Sequence, residues 1–164
     1  MADTTYTVKA TNRKDAVDAV PGKGDANTLK VLVSRTIELA AQASGATIFF
    51  GRIPSNVRLS GTSRGYWDDL ATSGSPTLDI GLASVGSNIT TDPDALSNGH
   101  VITAADITGE PVIDLIADFG LPAWDFVNGQ TTDPTGQLDV FGTIKDAATN
   151  ATGTITIEVY GWTD

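Results

Sequence analysis

The chain has 164 residues and a mass of 17.0 kDa, carries 20 acidic against 10 basic residues for a net charge of −10, and contains no cysteine. These values predict one acidic domain with its own core, and they exclude disulfides, thiol nucleophiles, cysteine-containing zinc sites and a broadly basic nucleic-acid binder. No apolar run approaches the length of a membrane span, and the first 15 residues lack the apolar region of a signal peptide, so we expect neither feature.

The charges are divided unevenly along the chain. Residues 1–64 contain nine basic and five acidic residues, whereas residues 65–164 contain fifteen acidic residues and a single basic one, Lys145. This asymmetry predicts either two faces with different surroundings or copies of the chain that meet head to tail. Charges that simply occupy solvated turns are the alternative, and the sequence leaves the choice open.

Residues 1–27 are predicted to form an extended N-terminal arm. They contain too few large apolar side chains to be buried on their own, and they end in the flexible sequence Pro21-Gly22-Lys23-Gly24. Such segments become ordered against a partner, and a frayed terminus without a role is the alternative. We therefore predict two parts, an arm over 1–27 and a folded domain over 28–164.

Strand patterns dominate the folded domain. They cover residues 29–39, 47–54, 57–60, 76–82, 137–145 and 153–162. A helix over Arg35–Ala43 competes with the first of these, but Gly45 ends the run early and favours a strand. The last two segments are the clearest strand pair, and the small polar residues 146–152 predict a hairpin loop between them. Residues 83–100 predict turns, and Glu110–Ile116 predicts one short helix.

Several short strands, many turn residues and little helical periodicity predict an all-β fold. Its architecture is expected to be an antiparallel, jelly-roll-like β-sandwich with an extended N-terminal arm and at most one short helix. Along the last strand, Ile155, Ile157 and Val159 alternate with polar residues, so we expect one face of that strand to lie in the core.

A catalytic motif is present only as a pattern of letters. Gly61-Thr62-Ser63-Arg64-Gly65 matches the G-x-S-x-G nucleophile elbow, which requires a strand-to-helix turn in a parallel sheet and a histidine partner. Antiparallel strands flank it here, so a glycine-flanked turn is the better interpretation. His100 is the sole histidine, and beside Asn98-Gly99 we expect it to face solvent.

The acidic residues offer two further kinds of site. Paired carboxylates suit a glycosidase, but most of these aspartates adjoin glycine, proline or threonine, and turn chemistry accounts for them. Asp92, Asp94 and Asn98, joined by Asp79 or Asp106, would supply oxygens to calcium, yet the order of an EF-hand fails and an uncoordinated acidic turn is favoured. We predict no catalytic residue, no metal and no cofactor.

Large aromatic side chains are the remaining candidates for binding. Tyr66, Trp67, Trp124, Tyr160 and Trp162 suit a sugar-binding face or a protein interface, where large amphipathic rings contribute much of the binding energy. Packing in the core of the sandwich is the alternative, and the sequence does not choose between them.

Two stretches of the chain resemble a known class of proteins. The first runs from Gly51-Arg52-Ile53-Pro54 through Tyr66-Trp67 to Thr77-Leu78-Asp79-Ile80-Gly81, and the second runs from Gly120-Leu121-Pro122 to Gly153-Thr154-Ile155-Thr156-Ile157-Glu158-Val159. Over about residues 29–164 they resemble small structural proteins encoded in the head-gene region of tailed bacteriophages. The resemblance implies a virion component and, within that class, a capsid decoration (cement) protein on the capsid exterior.

The resemblance also implies partners. A decoration protein binds the outer surface of the major capsid shell and stabilises it against internal DNA pressure, as a homo-oligomer with a trimer favoured, without direct contact to nucleic acid or membrane. A terminal arm would reach over neighbouring capsid subunits. The alternatives are a receptor- or glycan-binding head-fibre or tail-tip module and a sandwich enzyme that acts on polysaccharide.

The candidate site residues follow from the arm, the charge and the aromatic rings. The candidates for capsid binding are Tyr6, Val8, Lys9, Arg13, Lys14, Arg52, Arg58 and Arg64. The candidate interface aromatics are Tyr66, Trp67, Trp124 and Trp162. In this hypothesis the positive first third of the chain faces acidic patches on the shell and the acidic remainder faces solvent.

Overall fold

The computed structural model describes residues 28–84, 91–114 and 118–163. The predicted arm over 1–27 lies outside the described residues. The described strands are β1 (Lys30–Leu39), β2 (Thr47–Pro54), β3 (Arg58–Leu59), β4 (Arg64–Trp67), β5 (Thr77–Ser84), β6 (Asp92–Val101), β7 (Asp106–Pro111), β8 (Gln137–Lys145) and β9 (Gly153–Trp162), with a 3-10 helix at Ala123–Phe126. The predicted all-β class is confirmed, and the first segment is a strand rather than a helix.

The strands form two antiparallel sheets. Sheet 1 has the order β1-β9-β4-β7, with β3 paired to β9 in line with β4, and sheet 2 has the order β2-β8-β5-β6. When β3 and β4 are taken as one interrupted strand, the first strand pairs with the last and the second with the second to last, which is the order of a jelly roll. Because β1 contacts β2, these two edge strands form one side of the sandwich, and β6 and β7 form the opposite side.

The core lies between the two sheets and follows the period-two alternation. Ile155, Ile157 and Val159 are fully buried in β9, as the sequence predicted, and the inward residues of β8 face them. Burial of each such side chain contributes roughly 1.5–3 kcal/mol. The largest fully buried side chains are Phe50, Ile53, Leu59, Leu70, Leu78, Ile80, Leu82, Ile102, Ile113, Leu138, Ile144 and Ile155.

The predicted hairpin between the last two strands is wrong, although the bounds of both strands are confirmed. β8 pairs with β2 and β5, whereas β9 pairs with β1, β3 and β4. Both strands bury one full face, so they pack face to face across the core instead of side by side. The connection 146–152 therefore crosses between the sheets, where the N–H of Thr149 donates to the carbonyl of Gln42.

Two further sequence predictions are wrong within the described residues. The predicted turns over 83–100 contain β6 from Asp92 onward, because Pro93 is tolerated on an edge strand and Gly99, with a φ of 71°, lets the strand bulge. The segment predicted as a helix, 110–116, begins with the last two residues of β7. Val112 and Ile113 then follow as adjacent buried residues without helical structure.

Candidate interaction surfaces

The outer face of sheet 1 brings together five of the residues that the sequence singled out. Its outward side chains, called the front face below, are Arg58, Arg64, Tyr66, Thr154, Thr156, Glu158, Tyr160 and Trp162. Arg58 lies opposite Trp162, and Tyr66 lies opposite Thr156. Because alternate residues of β9 are buried, its tyrosine and tryptophan are turned outward and stay half-buried at the surface.

The two arginines of the front face also hold turns in place. The guanidinium of Arg58 donates to the carbonyl of Gly120 at 2.8 Å. One nitrogen of Arg64 donates to the carbonyls of Gly61 and Ser63, both at 2.8 Å. These bonds fix the positions of the two cations, so the front face presents them in a defined geometry.

The aromatic rings of the front face pack on glycines. A side chain at Gly120 would contact the Trp162 ring at 3.6 Å, and one at Gly109 would meet the Tyr66 ring at 2.7 Å. The hydroxyl of Tyr160 donates to Glu158 at 3.0 Å, and burial, then this bond, raises the pKa of Tyr160. The Tyr66 and Trp162 rings are thus supported by a glycine, and all three rings stay half-buried at the surface, as suits amphipathic binding residues.

The remaining predicted residues are not brought to this face. Trp67 is 4% exposed and belongs to the core, and Trp124 lies half-buried in the 3-10 helix and packs against the core. Arg52 lies on sheet 2, where its Nε donates to Asp139 at 2.6 Å. The arm candidates Tyr6, Val8, Lys9, Arg13 and Lys14 lie outside the described residues.

A depression of about 250 Å³ lies beside Tyr66 on the same sheet. It is lined by Tyr66, Trp67, Asp68, Asp106, Ile107, Thr154 and Thr156. Asp68 accepts bonds from the N–H and the hydroxyl of Thr154, which lower the pKa of that carboxyl. Bonds from Thr108 and Gly109 lower the pKa of Asp106 in the same way. Both carboxylates are therefore charged at neutral pH and bonded to the backbone of their neighbours.

The G-x-S-x-G sequence covers the turn between β3 and β4 and the first two residues of β4. Ser63 is fully buried, its hydroxyl donates to the carbonyl of Ser60 at 2.8 Å, and it accepts the N–H of Tyr160 at 3.0 Å. The turn interpretation is confirmed, because the strands on both sides are antiparallel to β9. This hydroxyl joins the bulge to β9 and is not presented to solvent.

His100 is half-buried, so the predicted solvent-facing position is only partly correct. It lies in β6 with its ring 5.3 Å from the ring of Trp67 and 2.8 Å from the hydroxyl of Ser97. Burial lowers its pKa, against the opposing fields of Asp114 and three further carboxylates. This partial burial was not predictable, because Asn98-Gly99 predicted a turn where the strand continues.

The side chains considered above as calcium ligands form other contacts in the structure. Asp92 accepts the N–H of Asn128 at 2.7 Å, and Asp79 accepts the N–H of Gly99 at 2.9 Å and lies 3.6 Å from Lys145. Among residues 28–84, 91–114 and 118–163, no group of three or more histidine or acidic side chains is arranged to hold a metal ion. In the same residues, no helix is long and apolar enough to cross a membrane.

Comparison with known proteins gives one informative likeness. No protein-family model matches the chain, and no curated protein is significantly similar to it. A chain of the cyanophage Pam1 capsid asymmetric unit has the same fold. The TM-score is 0.52 at 19% sequence identity, and the alignment covers 89% of this chain and 92% of that one. The two chains are therefore similar in length, and nearly the whole jelly roll is shared.

Proposed function

We propose that this chain is a structural protein of a phage virion, and specifically a decoration protein that binds the outer surface of the major capsid shell and stabilises it against DNA pressure. The observation that carries the proposal is the fold shared with a chain of similar length from a cyanophage capsid. The motifs around Arg52-Ile53-Pro54 and along β9 point to the same class of protein.

The front face is the surface that we assign to the shell. It combines three amphipathic rings with two positioned guanidinium groups, and aromatic and arginine side chains carry most of the binding energy in protein interfaces. Apart from the front face and strands β1 and β2, the chain is rich in acidic residues, which suits contact with solvent and disfavours direct contact with nucleic acid.

The arm adds reach to this attachment. It ends at residue 27, shortly before β1 begins at Lys30 on the edge of sheet 1. Fully extended, 27 residues would span roughly 90–100 Å, so in this proposal the arm reaches a neighbouring capsid subunit. In this proposal Tyr6, Val8, Lys9, Arg13 and Lys14 contact that subunit, and several arms in one homo-oligomer, with a trimer favoured, multiply a modest affinity.

The proposal is tested by sedimentation with bare, expanded capsids of the source phage. We expect saturable binding of the full chain and a loss of at least tenfold in affinity for residues 28–164, which contain both sheets. The double variant R58Q/R64Q should bind more weakly, whereas R52Q on sheet 2 serves as the matched control and should bind normally. Absence of binding by the full chain contradicts the proposal.

A second function is favoured by the depression beside Tyr66. An aromatic ring next to two carboxylates and two threonine hydroxyls is a combination that binds sugars, so a receptor- or glycan-binding fibre module is the alternative. Copy number in purified virions separates the two functions. Decoration requires hundreds of copies, and a fibre or tail-tip module a few to tens.

A further inference from the structure

The two sides of the sandwich carry opposite charge. Strands β1 and β2 contain three basic residues, Lys30, Arg35 and Arg52, and a single acidic one, Glu38; Arg52 is already paired with Asp139 of β8, so Lys30 and Arg35 carry the positive charge of this side. The side formed by β6 and β7 has no lysine or arginine in either strand, and its acidic residues are Asp92, Asp94, Asp106 and Glu110. The charge asymmetry of the sequence therefore becomes an asymmetry between opposite sides of one domain.

The same two sides carry most of the exposed large hydrophobic residues. Among the residues that the structure describes there are five such side chains, and four of them lie on these sides. Leu29 and Phe49 belong to the basic side, where the guanidinium of Arg35 lies 5.8 Å from the Phe49 ring centre. Val101 and Ile107 belong to the acidic side, and Ile107 is 86% exposed.

Strand register places one pair of opposite charges at the same position along the strand direction. Arg35 on β1 and Gly65 on β4 both lie opposite Ile157 on β9, and Gly65 in turn lies opposite Glu110 on β7. Arg35 and Glu110 therefore occupy the two ends of one row that crosses sheet 1. If neighbouring copies are related by a rotation about an axis parallel to the strands, each cross-strand row keeps its position along that axis. Arg35 of one copy then lies beside Glu110 of the next copy.

The backbone of β7 favours contact through side chains rather than an added strand. Asp106 accepts the N–H groups of Thr108 and Gly109, which form a bulge with a φ of 90° at Gly109. Such a bulge blunts a sheet edge and takes donors away from it. It also holds Ile107 outward at a fixed position.

We propose that copies of this chain associate head to tail, with the basic β1–β2 side of one copy against the acidic β6–β7 side of the next. Arg35 then pairs with Glu110 of the neighbour, and Phe49 and Ile107 supply the apolar part of the contact. A contact between two different surfaces is heterologous, and it closes into a ring when the rotation allows. A different protein as partner would explain the charge of one side only. A second copy explains the opposite charges of both sides and the position of Arg35 and Glu110 in the same cross-strand row.

The test is sedimentation velocity of the full chain over a range of concentrations. It requires no capsid, so its outcome is independent of the decoration function. We expect the wild type to form a closed oligomer and R35E and E110R each to weaken association at least tenfold. The double variant R35E/E110R restores the pair with its charges exchanged, and association should recover. D125R makes the same charge change as E110R away from both sides and should behave as wild type.

Circular dichroism of each variant establishes that the sandwich is intact. Near 1 M salt, where the Debye length is about 3 Å, association of the wild type should weaken as well. A monomeric wild type at about 100 µM, single variants that associate normally, or a double variant as weak as the singles would each overturn the proposal.

Discussion

The outer faces of the two sheets differ in how far the chain itself covers them. On sheet 2, Asp79, Phe141 and Thr143 point away from the core and are nevertheless less than 9% exposed. On sheet 1, the corresponding side chains of β9 stay half-buried from Thr154 to Trp162. The middle of the outer face of sheet 2 is therefore covered, although Phe49 on its β2 edge is 44% exposed, whereas the β9 face of sheet 1 stays half-buried along its whole length.

The start of β6 accounts for part of this difference. Gly81 lies opposite Phe141, and a side chain at this glycine would collide with the carbonyl of Asp92 and with Pro93. The segment that begins β6 therefore approaches sheet 2 closely. On sheet 1 the segment around Gly120 contacts one side of the Trp162 ring, and Tyr160 and Trp162 nevertheless stay half-buried, so the comparison favours sheet 1 as the face that meets a partner.

The largest predicted effect is on the free energy of unfolding, and it tests whether the outer face of sheet 2 is covered. Phe141→Ala should lower the free energy of unfolding by about 3 kcal/mol, because it empties a buried site. Phe49→Ala is the matched control, since Phe49 lies directly opposite on the same face and is 44% exposed. It should cost about 1 kcal/mol. Urea unfolding of both variants at low protein concentration measures the difference, and equal losses would mean that sheet 2 is as open as sheet 1.

The next effect concerns binding by the front face. Trp162→Ala and Tyr66→Ala should each weaken capsid binding by about 2 kcal/mol, or roughly 30-fold, as removal of an aromatic anchor does. Gln137→Ala, at the exposed start of β8 on sheet 2, is the control and should leave binding unchanged. Titration of expanded capsids with each variant measures the affinities. Full binding by both aromatic variants would show that the front face does not bind the capsid.

A smaller effect is on the pH dependence of folding stability, and it comes from His100. Burial lowers the pKa of His100 in the folded state, so the folded chain holds its proton less tightly than the unfolded chain. The resulting stability is present above about pH 6.5 and is lost as pH falls through that value. Unfolding measured from pH 7.5 to 5 should show this loss in the wild type. His100→Gln should flatten the curve, and an unchanged slope would contradict the burial of the ring.

The smallest effect belongs to the exposed carboxylates beside the front face. Bonds from Thr154 lower the pKa of Asp68 in the folded state, so its contribution is complete at neutral pH and is lost only as pH falls below about 4. Asp68→Asn should reduce the acid dependence of unfolding in that window and leave the slope between pH 5 and 7 unaltered. A change in the higher window would assign the effect to another group.

Much of the fold was predictable because alternation reports burial directly. The bounds of β8 and β9 were obtained residue for residue, since each strand buries one complete face. Their pairing was not predictable, because strands that lie side by side and strands that face each other across a core show the same period of two. Edge strand β6 was missed since Pro93 and Asn98-Gly99 are turn residues, and an edge strand tolerates them.

The candidate site was predictable only in part, for a related reason. Tyr66 and Trp67 are adjacent in a strand, so one must face out and the other in, and only the register with β9 and β7 decides which. The opposite charges of the two sides were visible as a head-to-tail asymmetry of the sequence. Their location at the ends of one row depends on the strand order of both sheets, which no local pattern contains.

The central claim is that the chain attaches to a capsid through the outer face of sheet 1. Electron cryomicroscopy of expanded capsids saturated with the full chain tests it most directly. We expect added density on the capsid exterior, with Tyr66, Tyr160 and Trp162 against the shell and the Phe141 face turned to solvent. Density in the reverse orientation, or no ordered density at saturating concentration, would contradict it.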